Sequence, residues 1–212
     1  MSTDQPSKAK RQYRERPSKE QIRLLPPFDA LPLQSIHVLR TPEDFATALQ
    51  ALRRERFIGF DTESKPCFTS DAPRTGPHVL QFATREQAFI VQLSSNPPLD
   101  FLREVIESQQ LIKVGFGLKS DRGPLQRKLG VQLGASIDLA SGMRRLGYKQ
   151  AVGVRTAVAI ALGRQLRKSK SATTSNWAAT QLSEHQVQYA GEDAFAALAV
   201  FYALGLADEP TV

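Results

Sequence analysis

Cysteine and histidine are nearly absent from this chain of 212 residues, which has one cysteine, Cys67, and three scattered histidines, His37, His78 and His185. A single cysteine excludes an internal disulfide and fits a reducing compartment, so a cytoplasmic protein is expected. No Cys-His pattern surrounds Cys67, which reads as an ordinary packed or half-exposed thiol. The same scarcity excludes a zinc site of the usual His/Cys type. No apolar run approaches the roughly 18–20 residues of a membrane span, so no membrane association is expected. The first residues hold no apolar segment of the kind a secretory signal needs. Gly115-Phe116-Gly117 lacks the further glycines of a dinucleotide fingerprint, so no nucleotide cofactor is expected. There is no internal repeat.

What is present is ordinary in amount and uneven in placement. Hydrophobic residues make up 41% and charged residues 23%, as in a soluble globular protein. The length suits one domain with a real core, plus a tail. The net charge of +7 gathers in the middle: residues 119–170 carry 12 basic side chains and 2 acidic ones, Asp121 and Asp138. Residues 171–212 hold 5 acids and no Lys or Arg. A solvated basic face is the common outcome of such a bias. Its concentration in one segment favours a polyanionic partner, with cations to hold a phosphate backbone and carboxylates to hold metals.

Residues 1–24 are polar and rich in Lys, Arg, Gln and Ser, and read as a disordered basic tail. Residues 25–212 read as a single domain. A short strand is expected over Ile36–Leu39, and Thr41-Pro42-Glu43-Asp44 then signals a helix start, with Thr41 as N-cap and Pro42 at the first helical position. Phe57 to Glu63 reads as a strand that runs from apolar residues into two carboxylates. Residues 64–77, with Pro66, Pro73, Gly76 and Pro77, form a loop at its end. Val79–Ala83 and Ala88–Leu93 read as an antiparallel pair. A helix over Leu99–Ser108, a strand over Leu111–Gly115, a helix to about Leu129 and a strand over Ser136–Leu139 follow. Apart from a Ser/Thr-rich link over 168–176, helices take the remainder, ending in a long one from about Ser183 to Leu206. The pattern predicts an α/β fold: a mixed sheet of five to six strands with helices on its faces.

Asp61 and Glu63 are the first pair that carries chemistry. Side chains alternate along a strand, so the two share a face, with about 7 Å between their Cα atoms. Such a pair repels itself unless a cation sits between, and hard oxygen ligands suit Mg²⁺ or Mn²⁺. A strand end with two solvated acids is the plain alternative. Tyr189 and Asp193 stand four apart on the last helix and so lie on one face of it, beside the apolar run Ala194–Ala203. Asp121 opens a helix after a strand, where the macrodipole also favours an acid.

Taken in order, Asp61-Thr62-Glu63, then Lys113-Val114-Gly115-Phe116-Gly117-Leu118-Lys119-Ser120-Asp121, then Tyr189-Ala190-Gly191-Glu192-Asp193 resemble the three motifs of the DEDD 3′–5′ exonuclease superfamily. The Tyr-x-x-x-Asp spacing resembles its tyrosine subtype, which includes ribonuclease D and Werner-type exonuclease domains. Ser175-Asn176-Trp177, Leu182-Ser183-Glu184 and Gln188-Tyr189-Ala190 resemble the approach to the third motif in that group. Ser64-Lys65-Pro66 departs from it, standing where many relatives carry an aromatic residue.

The resemblance implies a ribonuclease H-like sheet and a metal-dependent 3′–5′ exonuclease that releases nucleoside 5′-monophosphates. It implies two divalent ions, Mg²⁺ or Mn²⁺, with Asp61 bridging both. Glu63 and Asp193 would hold the ion that activates water, Asp121 would support the second, and Tyr189 would orient the attacking water. The expected partner is a single-stranded 3′ end of DNA or RNA. Lys119, Arg122, Arg164, Arg167, Lys168, Lys170 and Trp177 are the candidates for contact with it. Lys170 lies seven residues before Trp177, where relatives often carry a lysine. Related short exonucleases assemble, so a homo-oligomer is among the expected states. The alternative is an exonuclease-fold module of reduced activity that serves as a nucleic-acid-binding adaptor.

Overall fold

The computed structural model describes residues 13–67, 75–93, 95–167 and 174–208. Six strands form one sheet: β1 (Ile36–Val38), β2 (Phe57–Glu63), β3 (Val79–Ala83), β4 (Ala88–Gln92), β5 (Ile112–Gly115) and β6 (Ser136–Asp138). Their spatial order is β1-β4-β3-β2-β5-β6. Only β3 runs against its neighbours β2 and β4; the β1–β4, β2–β5 and β5–β6 pairs are parallel. The expected mixed sheet is present, at the upper end of the expected strand number.

Seven helices are described: α1 (Lys19–Arg23), α2 (Pro42–Leu52), α3 (Leu99–Ile106), α4 (Lys119–Leu129), α5 (Leu139–Arg145), α6 (Val154–Leu162) and α7 (Glu184–Ala203). Their starts follow local chemistry. Thr41 and Asp44 form a capping box at the head of α2, with Pro42 at the first helical position. Ser183 and Gln186 do the same for α7. Gly130, in the left-handed region at φ 67, ends α4, where a side chain would be strained.

The parity of β2 divides the molecule. Ile58 and Phe60 point to one face of the sheet and pack with Leu80, Phe82, Phe89 and Val91 against α2, α3 and α4. Gly59, Asp61 and Glu63 alternate with them and point to the other face. There Val79, Ala83, Ala88 and Ile90 meet α7 through Val187, Tyr189, Ala190 and Ala194. A Cβ built on Gly59 would lie 1.9 Å from the Ala194 carbonyl oxygen, so helix and strand approach closer than any side chain permits. That approach carries α7 over the carboxylate end of β2.

The segment before the sheet differs from the sequence expectation. Residues 1–12 lie outside the described residues, but residues 13–24 are not a free tail. Ser18 and Gln21 cap α1 reciprocally, and Ile22 is buried. Arg14 pairs with Tyr148 in a parallel bridge, and Pro27 pairs with Gln165. These contacts join residues more than a hundred positions apart, beyond the reach of local pattern. Cys67 is exposed rather than packed or half-exposed.

Candidate active site

Asp61 and Glu63, at the end of β2, meet Asp193, which α7 brings over the same face. Carboxylate oxygens of the three lie within 4.8 Å of one another. Asp193 is buried at 4% exposure, while Asp61 and Glu63 are half-buried. The Thr62 amide donates to Asp61 Oδ1 at 2.9 Å, fixing one oxygen of that carboxylate. Three acids held this close in a partly dry setting raise each other's energy unless cations intervene. All their ligand atoms are hard oxygens, a donor set that fits a divalent cation such as Mg²⁺ or Mn²⁺.

Asp121 stands apart from this trio. It reaches the end of β2 from the opposite face, in the first turn of α4, and its Oδ1 accepts from the Thr62 hydroxyl at 2.8 Å. Burial pushes its carboxyl up to about 6; the Thr62 bond pulls against that, and nearby Asp138 adds to it. Asp138 is itself engaged, accepting from the Gly117 and Ala140 amides at 3.0 Å each. Gly117, at φ 75, makes the turn that aims α4 at the site. The Gly115-Phe116-Gly117 glycines thus serve a tight strand-to-helix turn.

Tyr189 lies one helical turn before Asp193, in α7, and is buried at 7% exposure. Its ring packs on Trp177, with centroids 5.8 Å apart. Trp177 is 1% exposed, which corrects its assignment as a nucleic-acid contact: an indole sealed in the core cannot stack on a base. It acts as the floor under Tyr189. Gln81 is a residue that the sequence reading passed over. Gln81 is opposite Asp61 in the β2–β3 register and therefore on the same face, under α7. It is fully buried, and neither polar atom of its side chain, nor the Trp177 indole nitrogen, has a hydrogen-bond partner among the described residues. A glutamine between Leu80 and Phe82 inside an apolar strand was the available signal.

The basic candidates separate in the same way. Lys119 is exposed at the head of α4. Arg122 is exposed but engaged, donating to the Leu133 carbonyl and the Ser136 hydroxyl at 3.2 Å each. Arg164 faces Asp29 at 3.6 Å, and Arg167 is exposed, with a 3.4 Å bond to Gln165. Lys168 and Lys170 lie outside the described residues. Beside the carboxylates, His78 ties down both ends of the 64–77 loop. Its Nδ1 accepts from the Lys65 amide at 3.1 Å and its Nε2 meets the Thr75 hydroxyl at 3.0 Å. Burial, then Lys128 and Lys65, hold the imidazole below its ordinary value, which suits the neutral ring those bonds require. Residues 68–74 of that loop lie outside the described residues.

A family model described as 3′-5′ exonuclease matches residues 36–207. The chain is 30% identical over 151 residues to the bifunctional 3′-5′ exonuclease/ATP-dependent helicase WRN of Mus musculus, covering 70% of this chain and 11% of that protein. The Nibbler EXO domain of Aedes aegypti superposes with a TM-score of 0.70 at 26% identity, over 83% of this chain and 89% of that one. Escherichia coli RNase D, an exoribonuclease involved in structured RNA processing, shares the fold at a TM-score of 0.69 and 20% identity, over 80% of this chain and 44% of that one. The chain spans between 11% and 57% of the length of the curated relatives it matches. The ribonuclease H-like arrangement expected from the motifs is the one these neighbours share. With the matched segment running from β1 through the end of α7, this chain belongs to the 3′-5′ exonuclease family.

Proposed function

We propose that the protein hydrolyses single-stranded DNA or RNA from its 3′ end, releasing nucleoside 5′-monophosphates, with two divalent ions held by its carboxylates. The observation that carries this reading is the convergence of Asp61, Glu63 and Asp193 within 4.8 Å. When bound, the ions neutralise the phosphodiester and lower the pKa of the attacking water. Asp61, Glu63 and Asp193 would hold the ions, with Asp61 placed to serve both. Asp121, on the far side of Thr62, would support the second ion. Its carboxyl, raised by burial to about 6, still ionises at neutral pH.

Tyr189 orients the attacking water through its hydroxyl, one turn below Asp193 and braced by Trp177. Bound ions would already lower the pKa of the water, so orientation rather than proton removal is its task. The reaction is an in-line displacement: the water oxygen bonds phosphorus, the bond to the leaving 3′ oxygen breaks, and that oxygen takes up a proton.

The test uses 5′-labelled single-stranded DNA, single-stranded RNA and a dinucleotide in parallel, each with Mg²⁺ or Mn²⁺. A 3′-trimming ladder is expected, abolished by chelation. Asp61→Asn and Asp193→Asn lower the rate at least about 10³-fold, the scale of losing a principal electrostatic stabiliser, while the circular dichroism spectrum stays native. Tyr189→Phe lowers kcat more than strand affinity. Binding without cleavage by the unaltered protein on all three substrates would instead indicate the adaptor reading.

A further inference from the structure

The segment before the sheet carries charge to a place that local sequence does not foretell. The Arg14 amide donates to the Gly147 carbonyl at 3.0 Å, and the Arg16 guanidinium donates to the Ala151 carbonyl at 3.1 Å. With the Arg14–Tyr148 bridge, these contacts lay residues 13–16 along the segment that follows α5. Arg144 and Arg145 close α5, and Lys149 lies between the two anchor points. The Lys149 ammonium sits over the Tyr13 ring, 5.5 Å from its centroid. Tyr13 is 57% exposed.

Five cations are thereby gathered: Arg14, Arg16, Arg144, Arg145 and Lys149, all exposed. None is in an ion pair among the described residues. Glu15 is the one acid in the arm segment, and no Asp or Glu occurs from Leu139 to Ser183. Bringing like charges together is unfavourable, although screening softens it. Here it is enforced by the Arg14–Gly147 backbone bond and by the Arg16 guanidinium on the Ala151 carbonyl, which hold the arm on the cationic loop. A polyanion along this surface reverses the sign of that interaction. An ordered, exposed tyrosine among cations adds a face on which a base stacks, and stacking accepts any base.

The surface is also close to the carboxylates. Asp138, which caps α5, accepts from the Gly117 amide at 3.0 Å, in the turn that leads into α4 and Asp121. The seven residues of α5 then span only about 10 Å, at 1.5 Å per residue, to the arginines at its end. A strand whose 3′ end lies at Asp61 can therefore reach the arm within a few nucleotides.

We propose that Tyr13, Arg14, Arg16, Arg144, Arg145 and Lys149 form a landing surface for single-stranded nucleic acid, which holds the strand some nucleotides upstream of the 3′ end being cut. This deepens the exonuclease reading and rests on it. The surface makes the enzyme favour strands long enough to span both places. A dinucleotide engages the carboxylates alone.

The test separates the surface from the chemistry. Strand affinity is measured by fluorescence anisotropy in chelator, with a labelled single strand of about a dozen nucleotides, within the site size of single-strand grooves. The triple variant Arg14→Gln, Arg145→Gln and Lys149→Gln keeps the backbone anchors and removes three charges. Its affinity falls about tenfold or more, and the slope of log affinity against log salt falls by about 2, at roughly 0.7 per phosphate contact. Tyr13→Ala weakens binding by about tenfold with an unchanged slope. With Mn²⁺, cleavage by the triple variant drops more for the long strand than for the dinucleotide.

An unchanged affinity and slope in the triple variant overturn the proposal. So does binding of poly-aspartate as tight as that of the strand, since the surface would then be a dock for acidic protein. Failure of the unaltered protein to cleave any substrate speaks against the carboxylate site, which the chelated binding measurement does not touch.

Discussion

The carboxylate trio and the basic arm are built in opposite ways. Asp61, Glu63 and Asp193 occupy positions that the core dictates, on a strand and a helix held together by buried contacts. Their geometry follows from packing on the far side of each element. The arm's cations are exposed, and what places them is one backbone bond, Arg14 to Gly147, and one side-chain bond, Arg16 to the Ala151 carbonyl. The trio is rigid because moving it means moving the sheet. The arm can be lost without disturbing the core, so substrate length preference can change independently of the chemistry.

The largest test of that difference is Gly59→Ala. Its methyl meets the Ala194 carbonyl oxygen at 1.9 Å, a backbone atom that cannot rotate away. Helix α7 has to lift, taking Asp193 with it. A loss of about 3 kcal/mol or more is expected from overpacking of this kind, measured by chemical denaturation. Divalent-ion affinity, followed by calorimetry, falls as well. A loss below about 1 kcal/mol would mean that α7 slides easily and that this contact does not set the trio.

The same contrast explains what could be read in advance. Strand parity placed Asp61 and Glu63 together, and helical spacing placed Tyr189 one turn before Asp193; both rules are local. The start of α2 was equally legible, from the Thr41 N-cap and Pro42, whereas the Ser183–Gln186 capping box of α7 emerged only in the structure. Trp177 was misplaced because a lone tryptophan beside a basic stretch reads alike whether it lines a groove or fills a core. Arg122 was counted as a free cation because its bonds to Leu133 and Ser136 depend on how α4 lies across β6. The arm escaped for the same reason: a polar, charged segment lacks apolar periodicity, and its partner strand is more than 130 positions away.

Gln81 gives a test of intermediate size and opposite sign. Its carboxamide is fully buried beside Asp61 with no hydrogen-bond partner among the described residues. Leaving such a group unpaired costs about 1–3 kcal/mol, so Gln81→Met, similar in length and apolar, is expected to raise stability by that order in chelator. Thermal unfolding reads it directly. A fall in stability would show that the carboxamide is held after all, by a buried water shared with the Trp177 indole, and that the trio rests on polar as well as apolar support.

Arg122→Gln is the smallest change and separates the two regions most cleanly. Arg122 lies in the basic stretch and carries the same charge as Arg145. Its guanidinium is committed to the Leu133 carbonyl and the Ser136 hydroxyl, tying α4 to the approach and start of β6. Removing it forfeits two modest hydrogen bonds, so stability falls by about 1 kcal/mol. Two protein acceptors orient this exposed guanidinium away from the arm, so the salt dependence of strand binding is expected to keep its slope. Charge at a distance changes the slope little, because screening at physiological salt confines it to about 8 Å. A slope reduced by a full contact's worth, roughly 0.7, would place the strand over α4 and extend the landing surface beyond the arm.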